Sequence, residues 1–240
     1  MDIRVGCCGF ALAQARYFRR FPVVEVQQTF YQPPQAKTLQ RWRERAPADF
    51  EFTLKAWQLI THEPSSPTYR RLRKPIAVAA RSRYGFFRPT REVQEAWHIT
   101  LESARALAAR VVVFQCPASF APTPEHVRHL RAFFRAARQD APGLVFGWEP
   151  RGDWPRSLVA QLCRDLGLLY VVDPFRQEPL PGRLRYFRLH GRTGYRYRYT
   201  NEDLETLLGL CGQDGIAYCL FNNLSMAEDA ERFLHLIGHR

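Results

Sequence analysis

The chain has 240 residues, 46% of them hydrophobic, enough apolar material for one α/β barrel core and too much for wholesale disorder. Lys and Arg number 35 against 23 Asp and Glu, a formal net charge of +12, and such a field favours polyanions: nucleic acid, phosphorylated metabolites or an anionic surface. Heavy arginine use with only two methionines also fits a thermostable surface, so charge alone names no partner.

No apolar run reaches the ~18 residues that suggest a spanning helix, and the start, MDIRVGCCGF, lacks the basic leader and long apolar stretch of a signal peptide. A cytoplasmic chain without a membrane partner is expected. Cys7, Cys8, Cys116, Cys163, Cys211 and Cys219 form no C-x-x-C pair and sit mostly in apolar segments, where a thiol acts as a small buried hydrophobe.

In chain order, residues 3–8 (IRVGCC) and 23–28 (VVEVQQ) read as strands, and 35–45 as a helix after Pro33 and Pro34. Residues 50–56 form the third strand. The stretch 57–90 then breaks the rhythm, with Pro64, Pro67, Pro75 and Pro89 among Arg70, Arg71, Arg73, Lys74, Arg81, Arg83 and Arg88. No acid occurs between Glu63 and Glu92. A basic insertion after strand three is expected to lie where barrel loops bind substrate.

Thr90 opens a helix over 91–109, with Val93, Trp97, Leu101, Ala104 and Ala108 at helical spacing. Strand 111–116 follows. Thr123 and Pro124 suit N-cap and N1 of a helix to about Arg138. Strand 144–149 precedes a helix from Trp154 and Pro155 to about Leu166, and strands 168–173 and 185–190 come next. Thr200 with Asp203 resembles a capping box opening a helix to about Leu210. Strand 217–222 leads to a last helix opened by Ser225 and Glu228. His126 and His129 read as a solvated helix face, and His235 and His239 as helix-end residues.

This alternation predicts the α/β class: a (β/α)8 TIM-type barrel forming a single domain over residues 1–240. No G-x-G-x-x-G or G-x-x-x-x-G-K motif follows a strand, which counts against a nucleotide-cofactor fold and leaves the cofactor unspecified.

Barrel enzymes carry their sites at the C-terminal strand ends. Alternation places Glu25 and Gln27 there from strand two, Thr53 and Lys55 from strand three, and Gln115 from strand four. Strand five brings Glu149, with Arg151 just beyond. Strand six brings Asp173, strand seven Arg188 and His190, and strand eight Asn222 and Asn223. His62 follows strand three. Three acids thus face three permanent cations and a histidine, bordered by amides. Glu149 and Glu25 suit general base work with His190 as partner, and Lys55 suits an anion clamp or an amine nucleophile. Arg151 and Arg188 suit phosphate or carboxylate; Gln27, Gln115, Asn222 and Asn223 suit a hydroxylated or heterocyclic ligand. A divalent metal on Glu25, Glu149, Asp173 and His190 is the weaker expectation, because cations crowd those ligands.

The segments VEVQQTFYQPP, FEFTLKAWQLITH, VVFQCPASF, WEPRGDW, VVDPF, YFRLHGR…YRYRYT and FNN…M…DA occur in this order. Together they resemble the domain-of-unknown-function 72, or YecE-like, family over nearly the whole chain. The resemblance implies a barrel related to the α/β barrels, with no activity assigned to the family. Its segments fall on Glu25, Thr29, Phe30, Tyr31, Lys55, His62, Gln115, Glu149, Arg151, Asp173, Arg188, His190, Gly191 and Asn223. The chain departs from it at Cys8, Gly9 and Phe10, where Ser-Gly-Trp is frequent.

The expectation is a hydrolase-like barrel enzyme for a phosphorylated or nucleic-acid-derived substrate. Glu149, His190, Lys55 and Glu25 are its candidate catalytic groups. Gln27, Tyr31, His62, Gln115, Arg151, Asp173, Arg188, Asn222 and Asn223 are its candidate substrate contacts. The alternatives are a nucleic-acid-binding protein without turnover and a small-molecule-binding metabolic barrel.

Overall fold

The computed structural model describes residues 1–238, so His239 lies outside the described residues. Short β-branched and aromatic runs form eight strands: β1 Asp2–Cys8, β2 Val23–Val26, β3 Glu51–Lys55, β4 Val111–Gln115, β5 Val145–Glu149, β6 Leu169–Val172, β7 Leu184–Leu189 and β8 Ile216–Phe221. They close into one barrel in sequence order, as the alternation of strands and helices predicts. The fold is a (β/α)8 TIM-type barrel.

The helices are α1 Gln14–Phe18, α2 Gln28–Tyr31, α3 Ala36–Arg45, α4 Gln58–Thr61, α5 Arg91–Leu107, α6 Pro124–Asp140, α7 Arg156–Leu166, α8 Asn201–Cys211 and α9 Met226–Gly238. The expected caps are in place. Thr90 accepts from Val93 N, Thr123 from His126 N, and Thr200 and Asp203 bond reciprocally as a capping box. Each such cap is worth about 1 kcal/mol. No helix of the described residues is long and apolar enough to cross a membrane.

Two compact units account for the chain. The first holds Met1–Val26, Arg45–Phe52 and Leu169–Arg240; the second holds Gln27–Glu44 and Thr53–Leu168. In the first, β1 pairs in parallel with β2 and β8, in the registers Cys8↔Glu25 and Gly6↔Leu220. Buried Tyr17 stitches this edge, accepting from Cys7 N at 2.8 Å and donating to Val23 O at 2.9 Å. In the second, β4 pairs with β3 and β5, and Phe87, Trp97, Phe114, Phe134 and Phe146 pack edge-on or tilted around them. All six cysteines are buried and free.

One local expectation needs correction. Strand two stops at Val26, not at residue 28, and Gln27 takes helical angles (φ −89°, ψ −24°) at the start of α2. The Thr29 hydroxyl donates to Lys55 O at 2.7 Å and Phe30 is buried, which turns the chain early. Gln27 is therefore not a strand position. Residues 57–90 hold no strand, as expected, yet they are ordered by α4 and two 3-10 turns, Pro67–Arg71 and Val78–Arg83. Gly85 N and Phe87 N return the segment to Leu59 O and Ile60 O, both at 2.9 Å. Gly85 needs to be glycine: its φ is +80°, and a Cβ would stand 2.3 Å from His62 O.

Candidate functional site

In the first unit, the β2 and β7 side chains that alternation turns to one face meet around Glu25. Its carboxylate accepts from Tyr186 OH at 2.8 Å and from Arg188 Nε at 3.1 Å, and Arg188 Nη2 approaches its other oxygen at 3.0 Å. Glu25 is 0% and Arg188 1% exposed, so this pair is desolvated and held by matched hydrogen bonds. Tyr186 lies two residues before Arg188 on β7, so the same period-2 reading that selects Arg188 also points to it.

One strand over, Asp173 at the end of β6 accepts from Phe175 N at 3.1 Å and His190 N at 3.0 Å, while its Oδ2 faces His190 Nδ1 at 3.6 Å. Arg176 adds a cation at 3.6 Å from Asp173 and donates to Gly191 O at 2.9 Å. Asp173 thus fixes the His190 backbone, with the imidazole alongside it. Gly191 makes the turn beyond it, with φ +82° and room for a Cβ only 2.3 Å from Gly194 O. Asn222 is half-buried. Asn223 is fully buried and donates at 2.7 Å to both Tyr197 O and Asp229 Oδ2, while its Oδ1 has no partner. It braces the 192–200 loop to α9.

In the second unit, Lys55 is buried with Nζ 3.4 Å from the centre of the Phe30 ring. His62 stacks edge-on to Phe30 at 5.0 Å, and its Nδ1 lies 2.8 Å from Thr61 Oγ1. Burial first, then the Lys55 and Arg151 charges, push the His62 imidazole down to about 3, against an opposing pull from Glu149. His62 is therefore neutral throughout the physiological range. Glu149, ending β5, accepts from Arg151 Nη2 at 3.0 Å and Nε at 3.2 Å, both on one oxygen. Gln115 is half-buried beside it in register, its amide 3.5 Å from Cys116 O. Tyr31 is half-buried under the Arg71 guanidinium at 4.2 Å. Phe30, Thr29 and Thr61 do the positioning here without being chemically conspicuous in the sequence.

Among the described residues no group of three or more His, Cys, Asp and Glu side chains converges as a metal site would require.

The model of the family described as "Protein of unknown function DUF72" matches residues 12–240. The chain belongs to the DUF72 family. A DUF72 family protein from Enterococcus faecalis shares its fold with a TM-score of 0.74 at 22% identity, over 99% of this chain and 98% of that one. A xylose isomerase domain containing protein from Salmonella typhimurium follows at 0.59 and 16%, over 95% and 93%. Endonuclease IV from Thermus thermophilus aligns at 0.57 and 12%, over 99% and 100%. At these identities the likeness extends to the barrel and not to chemistry. No curated protein matches the chain.

Proposed function

We propose that this DUF72 barrel is an enzyme that binds a phosphorylated or nucleic-acid-derived substrate and acts on it by acid–base chemistry, with hydrolysis as the reaction class. The observation that carries this reading is the neutral His62 beside Lys55, Arg151 and Glu149. Burial, and after it the Lys55 and Arg151 charges, keep this histidine discharged, and two permanent cations beside a neutral hydrogen-bonding ring suit an anionic ligand. Lys55 and Arg151 hold the anionic group, and His62 contributes a neutral ring nitrogen as a hydrogen-bond partner. Glu149 in the second unit and, separately, His190 in the first are the groups proposed to exchange protons. The +12 charge accords with any polyanion. Six buried free thiols suit a reducing, cytoplasmic setting.

The test is turnover of a phosphomonoester, a phosphodiester and an abasic-site oligonucleotide by wild type, Glu149→Gln and His190→Ala. The expected result is a loss of at least ~10²-fold in each variant with thermal melting nearly unchanged. Steep drops in melting temperature, with no substrate turned over by the wild type, would make the charged set a structural network and end the enzymatic reading.

A further inference from the structure

A second feature of the second unit lies outside the charged set. Gln28, Tyr31, Gln35, Thr38, Arg71 and Arg73 line an open, polar cleft of about 600 Å3 between α2–α3 and the first 3-10 turn. Its walls are fixed from below. Gln58, fully buried on α4, donates to Tyr31 O at 3.0 Å and to Thr68 O at 3.3 Å, tying α2 to the turn. It does so at the cost of leaving its own Oε1 without a partner. Tyr69 OH donates to His62 O at 2.7 Å, tethering the same turn to the His62 site. Gln32 Oε1 accepts from Arg73 N at 3.1 Å.

The cations here are prepared for a ligand rather than consumed by the fold. Arg71 is exposed and its guanidinium carbon stands 4.2 Å from the centre of the Tyr31 ring, a cation–π contact that uses a ring face and no counter-charge. At the far end of the segment, Arg83 and Arg88 are neutralised by Glu92 and Glu63, each at 2.7 Å. Arg70, Arg71, Arg73, Lys74 and Arg81 have no carboxylate partner among the described residues. Concentrating like charge this way works against folding.

We propose that this cleft binds the sugar-phosphate backbone of a single-stranded nucleic acid, with Arg71 and Arg73 on one phosphate and Arg70, Lys74 and Arg81 serving its neighbours. Amides of Gln28 and Gln35 and the Thr38 hydroxyl complete the polar lining, and the exposed face of the Arg71 guanidinium offers a stacking plane for a base. A free phosphorylated metabolite would use the Arg71–Arg73 pair and have no use for Arg70, Lys74 and Arg81, which also lack a carboxylate partner among the described residues. The inference deepens the functional reading above, naming a strand as the substrate class, and rests on it for any chemistry but not for binding.

The test is fluorescence anisotropy of a labelled single-stranded DNA oligonucleotide across a salt series. Arg71→Ala/Arg73→Ala should weaken binding at least about tenfold and reduce the slope of log K against log salt by about 1.4. Thr38→Glu, which places an acid in the cleft, should weaken binding likewise. Arg128→Ala/Arg135→Ala, which removes two exposed charges from α6, should do far less. Turnover of the same cleft and α6 variants is measured alongside, so loss of the strand and loss of chemistry are read separately. Equal effects of the cleft and α6 variants, flat salt dependence, or inorganic phosphate binding as tightly as the oligonucleotide would each overturn the proposal.

Discussion

Two stretches of the chain look alike as sequence: the basic run from Arg70 to Arg88 and the segment RTGYRYRYT from Arg192 to Thr200. Both interleave guanidinium groups with rings. In the second, the fold consumes nearly everything. Arg192 and Tyr197 both bond Asp203, at 2.8 and 2.5 Å, and Arg198 pairs with Glu228. Tyr199 is 1% exposed and accepts from Gly191 N at 2.8 Å. In the first, the rings of Phe86 and Phe87 enter the core, but five cations keep no carboxylate. Composition could not separate these cases, because what separates them is the position of Asp203, Glu228 and Asp229 on α8 and α9. A charge is available to a partner only where the fold supplies no counter-charge.

Acid pH should expose the largest effect, and it falls on the cation-rich side of the contrast. The folded-state pKa of His62 lies near 3, below the unfolded value of about 6.5. The unfolded chain therefore binds more protons between those limits. Stability from this group is complete above about pH 6.5 and is lost progressively as pH falls towards 3. His62→Gln should flatten that limb in denaturant titrations at stepped pH. Inorganic phosphate should raise the His62 pKa in an NMR titration, since an added anion favours the imidazolium. An unshifted resonance at saturating phosphate would detach His62 from anion binding.

Next in size is the consumed loop. Asp203→Ala removes the capping box and the Tyr197 and Arg192 bonds together, with an expected cost of about 2–4 kcal/mol. Tyr199→Phe removes one buried bond and should cost about 1 kcal/mol. If both substitutions are silent in chemical denaturation, the loop is not the brace described, and its arginines return as candidates for a partner.

How much of this was legible in the sequence depends on range. All eight strands fall within two residues of where apolar runs place them, because barrel strands are short, buried and bounded by polar turns. Caps at Thr90, Thr123 and Thr200 are equally local. Strand alternation misplaces Gln27 because a buried Phe30 and the Thr29–Lys55 bond, neither visible in a hydrophobic pattern, end β2 early. Of the side chains that alternation assigns to the strand ends, Glu25, Lys55, Glu149, Asp173, Arg188 and Asn223 are buried, while Gln27, Gln115, Arg151, His190 and Asn222 are partly exposed. Their partners were not legible: Glu25 with Tyr186, Asp173 with the His190 backbone and Asn223 with Asp229 are tertiary facts. The Gln58 clamp under the cleft joins residues that only the folded chain brings together.

The smallest stability effect belongs to the uncompensated cations, and its sign matters more than its size. Arg70 and Lys74 are exposed and unpaired, so removing both should change stability by less than about 0.5 kcal/mol. In a chain of net charge +12, any change should be a gain, because two like charges leave a crowded field. That gain should shrink as added salt shortens the Debye length to a few ångströms, about 3 Å at 1 M. Oligonucleotide affinity should move the opposite way, falling most at low salt where the same charges attract hardest. A loss of stability in Arg70→Ala/Lys74→Ala would show that these side chains hold the turn in place after all. The contrast between the two basic stretches would then be one of degree.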